Sequence, residues 1–225
     1  MRSLLPSLLL LFAAGCVPTG PFVTAETADI LRARQVSFMA AGGPAVGTNS
    51  GSSSTSYGGG ADIRVRVGIG HNQEVGAELT ALLASSPSQE TVLVGRLRHK
   101  LGLGRHLALI SAVAVGGDVI SGSNLQDAGA DTGIVASTGS LGDRLRLYGG
   151  ARIGFSLPLT DFGGLPKMET LTLPLGLAIG VSERARLYTE AGLMAGLYQA
   201  NGTSGIDNGR WVAGYFALGL ELTSR

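Results

Sequence analysis

The chain has 225 residues, enough for one large domain or a barrel of moderate size, and its 17 Lys and Arg against 16 Asp and Glu leave a net charge of +1, which favours neither nucleic acid nor an acidic partner. Charged residues make up only 15% and the mean hydropathy is +0.29, yet no run of about eighteen apolar residues follows the N-terminus, so no transmembrane helix is available. Glycine, a poor helix former, occurs 36 times, and a greasy, glycine-rich chain without long apolar runs leaves the transmembrane β-barrel as a live class.

Residues 1–15 read as a signal peptide, with Arg2 as the positive start and Leu4 to Ala14 as an apolar core interrupted by Pro6. The stretch Ala13-Ala14-Gly15-Cys16 that closes it resembles the lipobox of bacterial lipoproteins. That resemblance implies that Cys16 is acylated and becomes the first mature residue. Cys16 is the only cysteine, so no internal disulfide forms. Residues 16–34 then read as a lipid-anchored periplasmic linker, broken early by Pro18, Gly20 and Pro21. Within it, Glu26 to Arg34 has the composition for about two helical turns, with Thr24 or Thr27 as cap. The sequence leaves open whether this segment hangs below the barrel or enters its mouth.

From Gln35 the chain becomes a series of about ten alternating segments, and period two means strands with unlike faces. Segment 35–43 sets Val36, Phe38 and Ala40 against Ser37, Met39 and Ala41. Segment 61–70 sets Ile63, Val65, Val67 and Ile69 against Asp62, Arg64, Arg66 and Gly68. Segment 73–84 opposes Val75, Ala77 and Leu79 to Glu74, Gly76 and Glu78, and 91–103 opposes Leu93, Leu97 and Leu101 to Arg96, Arg98 and Lys100. Segment 106–116 is apolar on both faces, and 132–141 is the poorest strand. The clearest is Arg144 to Leu157, with Leu145, Leu147, Ile153 and Phe155 on one face and Arg144, Arg146, Tyr148 and Arg152 on the other. Segments 168–182, 185–198 and 210–223 follow, and Pro174 argues for an edge or bulge in the first of them. Short connections (His71-Asn72, Leu103-Gly104-Arg105, Gly142-Asp143, Glu183-Arg184) alternate with long polar ones (44–60, 85–90, 117–131, 158–167, 199–209).

The region from Gln35 to Arg225 resembles, in this pattern, the small outer-membrane β-barrel proteins of Gram-negative bacteria, which join short periplasmic turns to long extracellular loops. The resemblance implies an all-β fold, a closed antiparallel up-and-down transmembrane β-barrel of about ten strands (eight to ten), in the bacterial outer membrane with periplasmic N- and C-termini. Closure also follows from the solvent, because an open sheet edge in hydrocarbon leaves backbone groups bare at several kcal/mol each.

In such a barrel the leucine rows meet lipid and the alternate rows line the lumen. By parity a lumen charge network forms from Arg64, Arg66, Arg96, Arg98, Lys100, Arg144, Arg146, Arg152 and Arg186 with Asp62, Glu74, Glu78, Glu190 and Glu221. Glu78 lies opposite or diagonal to Arg64 or Arg66, and Glu74 and Glu78 reach Arg96, Arg98 or Lys100. This reads as a salt-bridged plug, with a narrow, net-positive, anion-preferring channel as the competing reading. No catalytic constellation is present: His71, His99 and His106 sit at or near turns of the periplasmic end, and Asp131, Asp161 and Asp207 read as loop polarity. Gly58-Gly59-Gly60 and Gly116-Gly117 lack the lysine and helix of a phosphate cradle, and no His/Cys/Asp cluster has metal-ligand spacing. The expectation is therefore a non-catalytic outer-membrane lipoprotein without cofactor. Its partners are outer-membrane lipid and another envelope protein reached through loops 44–60, 117–131 and 199–209. The alternatives are the small-solute pore, a lipid or peptide hydrolase, and a soluble lipocalin-like barrel tethered by its lipid.

Overall fold

Period-two alternation runs through the chain as antiparallel strands that close on themselves. A computed structural model describes residues 22–49, 55–84, 91–118, 127–138, 144–158, 167–202 and 205–224. Among these, ten strands occur: β1 (Val36–Asn49), β2 (Thr55–Gly70), β3 (Gln73–Ala84), β4 (Thr91–Gly102), β5 (Leu107–Asp118), β6 (Asp127–Ser137), β7 (Leu145–Pro158), β8 (Lys167–Gly180), β9 (Ala185–Gly202) and β10 (Gly205–Thr223). Each pairs with its neighbours in sequence, and β10 pairs with β1 to complete an up-and-down barrel. No sheet edge is left open.

The two faces separate as alternation dictates. On β10, Val212, Phe216, Leu218, Leu220 and Leu222 are exposed while Tyr215, Ala217 and Glu221 are buried. Ile153 on β7 and Leu218 are 62% and 60% exposed. From Val212 to Leu222 a strand tilted by about 40° rises roughly 25 Å, the height of an outer-membrane apolar band. Arg210 and Glu169, both outward, lie beyond that band on the side of β9's far end. An apolar belt this extensive would drive association in water and is at rest in hydrocarbon.

The strands run further than the hydrophobic pattern does. Positions 44–49 and 55–60, read as loop, continue β1 and β2, and 199–202 and 205–209 continue β9 and β10. Ladder pairing persists there although neither composition nor period marks a strand. β6 begins at Asp127, so Asp131 is a buried strand residue and not loop polarity. The remaining connections 50–54, 85–90, 119–126, 159–166 and 203–204 lie outside the described residues, as do Gly142-Asp143, Asp161, the signal peptide and Cys16. The β2–β3 turn is carried by His71 and Asn72, with φ of 49° and 61°. Two successive left-handed residues give the turn whose twist matches a hairpin, and Asn tolerates that region best after Gly. Pro174 and Pro44 are both absorbed. Each keeps one neighbour, Gly192 and Gly59, while the ladder on the other side skips two pairs. A missing N–H is thus placed where no partner is required.

The larger departure concerns the described part of the linker. Residues 22–34 contain no helix, and Phe22 to Ala28 are buried inside the barrel. The helical reading fails because the segment's main-chain groups bond to lumen side chains instead of to one another.

Candidate functional site: a lumen closed by the N-terminal segment

The wall supplies its own ion pairs first. Register sets Arg64 opposite Glu78, Glu78 opposite Arg96, Glu74 opposite Lys100 and Arg186 opposite Glu221. Arg64 Nε lies 2.6 Å from Glu78 Oε2, Arg96 Nη1 2.8 Å from Glu78 Oε1, and Arg66 Nη1 2.9 Å from Glu74 Oε1. Arg66 also pairs with Glu221, and Asp131 pairs with both Arg96 and Arg152. The long cations of β4 have room because β5 faces them with Ala112 and Ala114 opposite Arg98 and Arg96.

The N-terminal segment enters at the end of the barrel that carries the His71–Asn72 turn. Arg34 N–H donates to Gly68 O (2.8 Å), and Leu31 and Arg32 carbonyls pass so close to Gly68 that a Cβ there would collide with them. From this mouth the segment runs up the lumen against β2: Glu26 sits at Arg66, Thr24 and Val23 at Arg64, and Phe22 at Gly60.

Glu26 is the centre of the arrangement. It is 1% exposed, and its carboxylate meets Arg98 Nη2 at 2.5 Å, Lys100 Nζ at 3.0 Å, Arg66 Nη1 at 3.2 Å and Arg64 Nη1 at 3.7 Å. Burial opposes its ionisation, but Arg98, Lys100, Arg66 and Arg64 outweigh burial and hold its carboxyl well below the ordinary carboxylate range. Asp29, nearer the mouth and about a third exposed, pairs with Arg146 and, at 3.3 Å, with Arg186.

The opposite wall is of another kind. Among the described residues, Glu190 on β9 has no cation in its shell. It accepts Thr24 N–H (2.8 Å), Ala25 N–H (2.5 Å), Tyr148 Oη–H (2.9 Å) and Tyr215 Oη–H (2.8 Å). The tyrosines lie flat because glycine is opposite each: Tyr148 covers Gly176 and Tyr215 covers Gly192, and a Cβ at either glycine would strike the ring. Tyr148 in turn meets Tyr188 edge to face at 5.8 Å, and Tyr188 donates to Glu221. Phe22 lies 5.6 Å from Tyr215.

Of the residues that parity assigns to the lumen, Arg64, Arg66, Glu74, Glu78, Arg96, Arg98, Lys100, Arg152 and Glu221 come together as ion pairs, and Arg146 and Arg186 join them at the mouth. Glu190 is buried among neutral donors instead, and Arg144 is exposed just ahead of β7. Sequence reading missed Glu26, Asp29 and Asp131. The signal available was a surplus of parity-inward cations over acids, with Glu26 and Asp29 the nearest unassigned carboxylates. Among the described residues the lumen wall carries eight cations and seven acids, and the segment adds two acids, so the lumen is close to neutral. His71 and His106 are exposed at turns, and His99 faces outward beside Gln73. Among the described residues no group of three His, Cys, Asp or Glu is placed to hold a metal.

Fold and lumen together define a membrane-spanning type of β-barrel closed by its own N-terminal segment. No family model and no curated protein matches the chain. Among solved structures it is similar to neisserial surface protein A (14% identity, 83% of this chain and 96% of that one, TM-score 0.42). It is also similar to outer membrane protein OprG of Pseudomonas aeruginosa (13%, 88% and 100%, 0.36) and to an outer membrane channel of Pseudomonas putida F1 (11%, 87% and 97%, 0.38). At these identities no residue role passes from those proteins to this chain.

Proposed function

We propose that the protein is a non-catalytic barrel of the bacterial outer membrane, closed to passage, that serves envelope structure or partner binding through its outward connections. The observation that carries this reading is the filled lumen. Glu26 and the cations paired with it, Arg64, Arg66, Arg98 and Lys100, are each 5% exposed or less. At the level of Glu26 the described residues leave neither a water path nor a substrate pocket, and small barrels commonly fill in this way. The anion-preferring pore has less support, because the lumen charge is nearly balanced. A lipid anchor at Cys16 and a periplasmic short-turn end belong to the same proposal.

The test is conductance of the intact protein in planar bilayers together with heat-modifiable mobility of the membrane fraction. The expected result is a heat-modifiable, membrane-resident band and no discrete conductance steps. Steady open-channel currents from the intact chain overturn the closed reading. Hydrolysis of lipid or peptide by the purified barrel, abolished by one substitution, overturns the non-catalytic one.

A further inference from the structure

We infer that the lumen is a binding site for a polypeptide that places a carboxylate at the buried Glu26 position, that Phe22 to Leu31 is its tethered occupant, and that a free peptide of the same chemistry replaces that occupant once the tether is cut. The inference rests on the closed-barrel reading and adds to it what the lumen recognises.

The wall addresses the segment's backbone. The N–H groups of Val23, Thr24, Ala25, Ala28 and Leu31 donate to Asp62, Glu190, Glu190, Ser137 and Glu74 side chains. The carbonyls of Val23 and Thr24 accept from Arg64, and those of Thr27 and Asp29 accept from Lys100. A wall that only filled itself would satisfy these groups among its own side chains. Here carboxylates and cations on several strands converge on main-chain atoms of one segment that belongs to no sheet, the chemistry by which peptides are held irrespective of most side chains.

Two side chains are read as well. Phe22 fits a notch at Gly60, where a Cβ would come within 2.6 Å of the ring. Glu26 supplies the carboxylate that the wall lacks. Without it, Arg98 keeps Glu78 at 3.8 Å and Lys100 keeps Glu74 at 3.8 Å as their remaining acidic neighbours, against 2.5 and 3.0 Å to Glu26. A vacated lumen thus holds two buried cations whose nearest acidic partners are at the limit of ion pairing, and it favours a ligand bearing an acid at that position. The residues between Phe22 and Glu26 are small or β-branched (Val23, Thr24, Ala25), and so are Thr27 and Ala28 beyond it, so in the buried part selection rests on backbone, one ring and one acid, with partly exposed Asp29 pairing only at the mouth.

The tether is accessible. Arg32, Ala33 and Arg34 are exposed at the mouth, and Arg34 has φ of 65°. Cavities of about 540 and 400 Å³ flank the segment there, one beside Ile30 and His106, the other beside Gln35 and Arg186.

The experiment uses the full chain with a site-specific protease sequence inserted at Ala33, folded, purified in detergent and then cut. The probe is a fluorescent synthetic peptide with the sequence of residues 20–32. Conductance of the intact protein is recorded first, because a conducting intact barrel fails the closed reading whatever the peptide does. The expected result is saturable 1:1 uptake by the cut barrel, none by the uncut one, and binding at least about tenfold weaker for the peptide carrying Glu26→Gln. Should the cut fragment stay in place, its release by excess unlabelled peptide is the readout. The inference is overturned if a barrel that has lost its fragment and keeps its heat-modifiable mobility takes up no peptide, or if the fragment is not displaced at hundredfold excess. It is equally overturned if the Gln peptide binds as well as the Glu peptide, or if cut and uncut barrels bind alike.

Discussion

The two walls of the lumen face the same segment with different chemistry. β2, β3 and β4 present arginines, a lysine and acids in direct register, and they grip Glu26 by charge. β7, β9 and β10 present tyrosines laid over glycines around Glu190, and they grip the backbone of Thr24 and Ala25 through one carboxylate. The ionic wall would be costly without the segment, because breaking a buried ion pair strands a charge. The tyrosine wall loses two backbone hydrogen bonds and some packing, and Glu190 keeps its donors Tyr148 and Tyr215. The comparison teaches that the segment is required by one wall and merely accommodated by the other.

That asymmetry can be broken in graded steps, each read as the shift in urea midpoint of the heat-modifiable form. Glu26→Ala leaves buried Arg98 and Lys100 without their nearest acid, while Arg64 and Arg66 keep Glu78, Glu74 and Glu221, and is expected to cost roughly 3–5 kcal/mol. Because Glu26 ionises well below the ordinary carboxylate range, its contribution is complete above that range and is lost only as pH falls through the lowered value. The acid-induced drop in midpoint is therefore smaller in Glu26→Gln than in the parent, and an equal drop in both would contradict the assignment. Glu190→Ala leaves two N–H and two phenolic donors without their acceptor, and about 2–3 kcal/mol is expected. A loss exceeding that of Glu26→Ala would reverse the ranking of the walls. Tyr215→Phe removes one donor to Glu190 and keeps the ring beside Phe22, for about 1 kcal/mol. Asp29→Asn acts on partly exposed pairs with Arg146 and Arg186 and is expected to cost under about 1 kcal/mol, less again at high salt. A larger, salt-independent loss there would move the centre of the site to the mouth.

Most of the barrel is legible in the sequence because a strand between lipid and lumen must alternate. Arg64, Arg66, Arg96 and Arg98 can be assigned to the lumen from parity alone, and Leu218 and Ile153 to the outer wall. Legibility fails where the solvent is the same on both sides. The stretches 55–60 and 205–209 pair as strands although their sequence shows no apolar alternation. It fails again at β6, where Gly129 and Gly133 erase the inward pattern around Asp131. The N-terminal segment is illegible for a third reason. It belongs to no sheet, so it has no period, and its small polar residues read as linker although Thr24, Glu26 and Thr27 are buried.

The order in which the chain is made bears on how it comes to rest. Residues 22–31 and their ionic partners on β2 to β4 are synthesised early, whereas Glu190, Tyr215 and Glu221 arrive with the last hairpin. Until β10 zips against β1, the segment lies in a trough with one side missing. Seam closure therefore completes the segment's surroundings, and a chain truncated before β9 would lack the Glu190 acceptor of Thr24 and Ala25 and the Tyr215 ring beside Phe22.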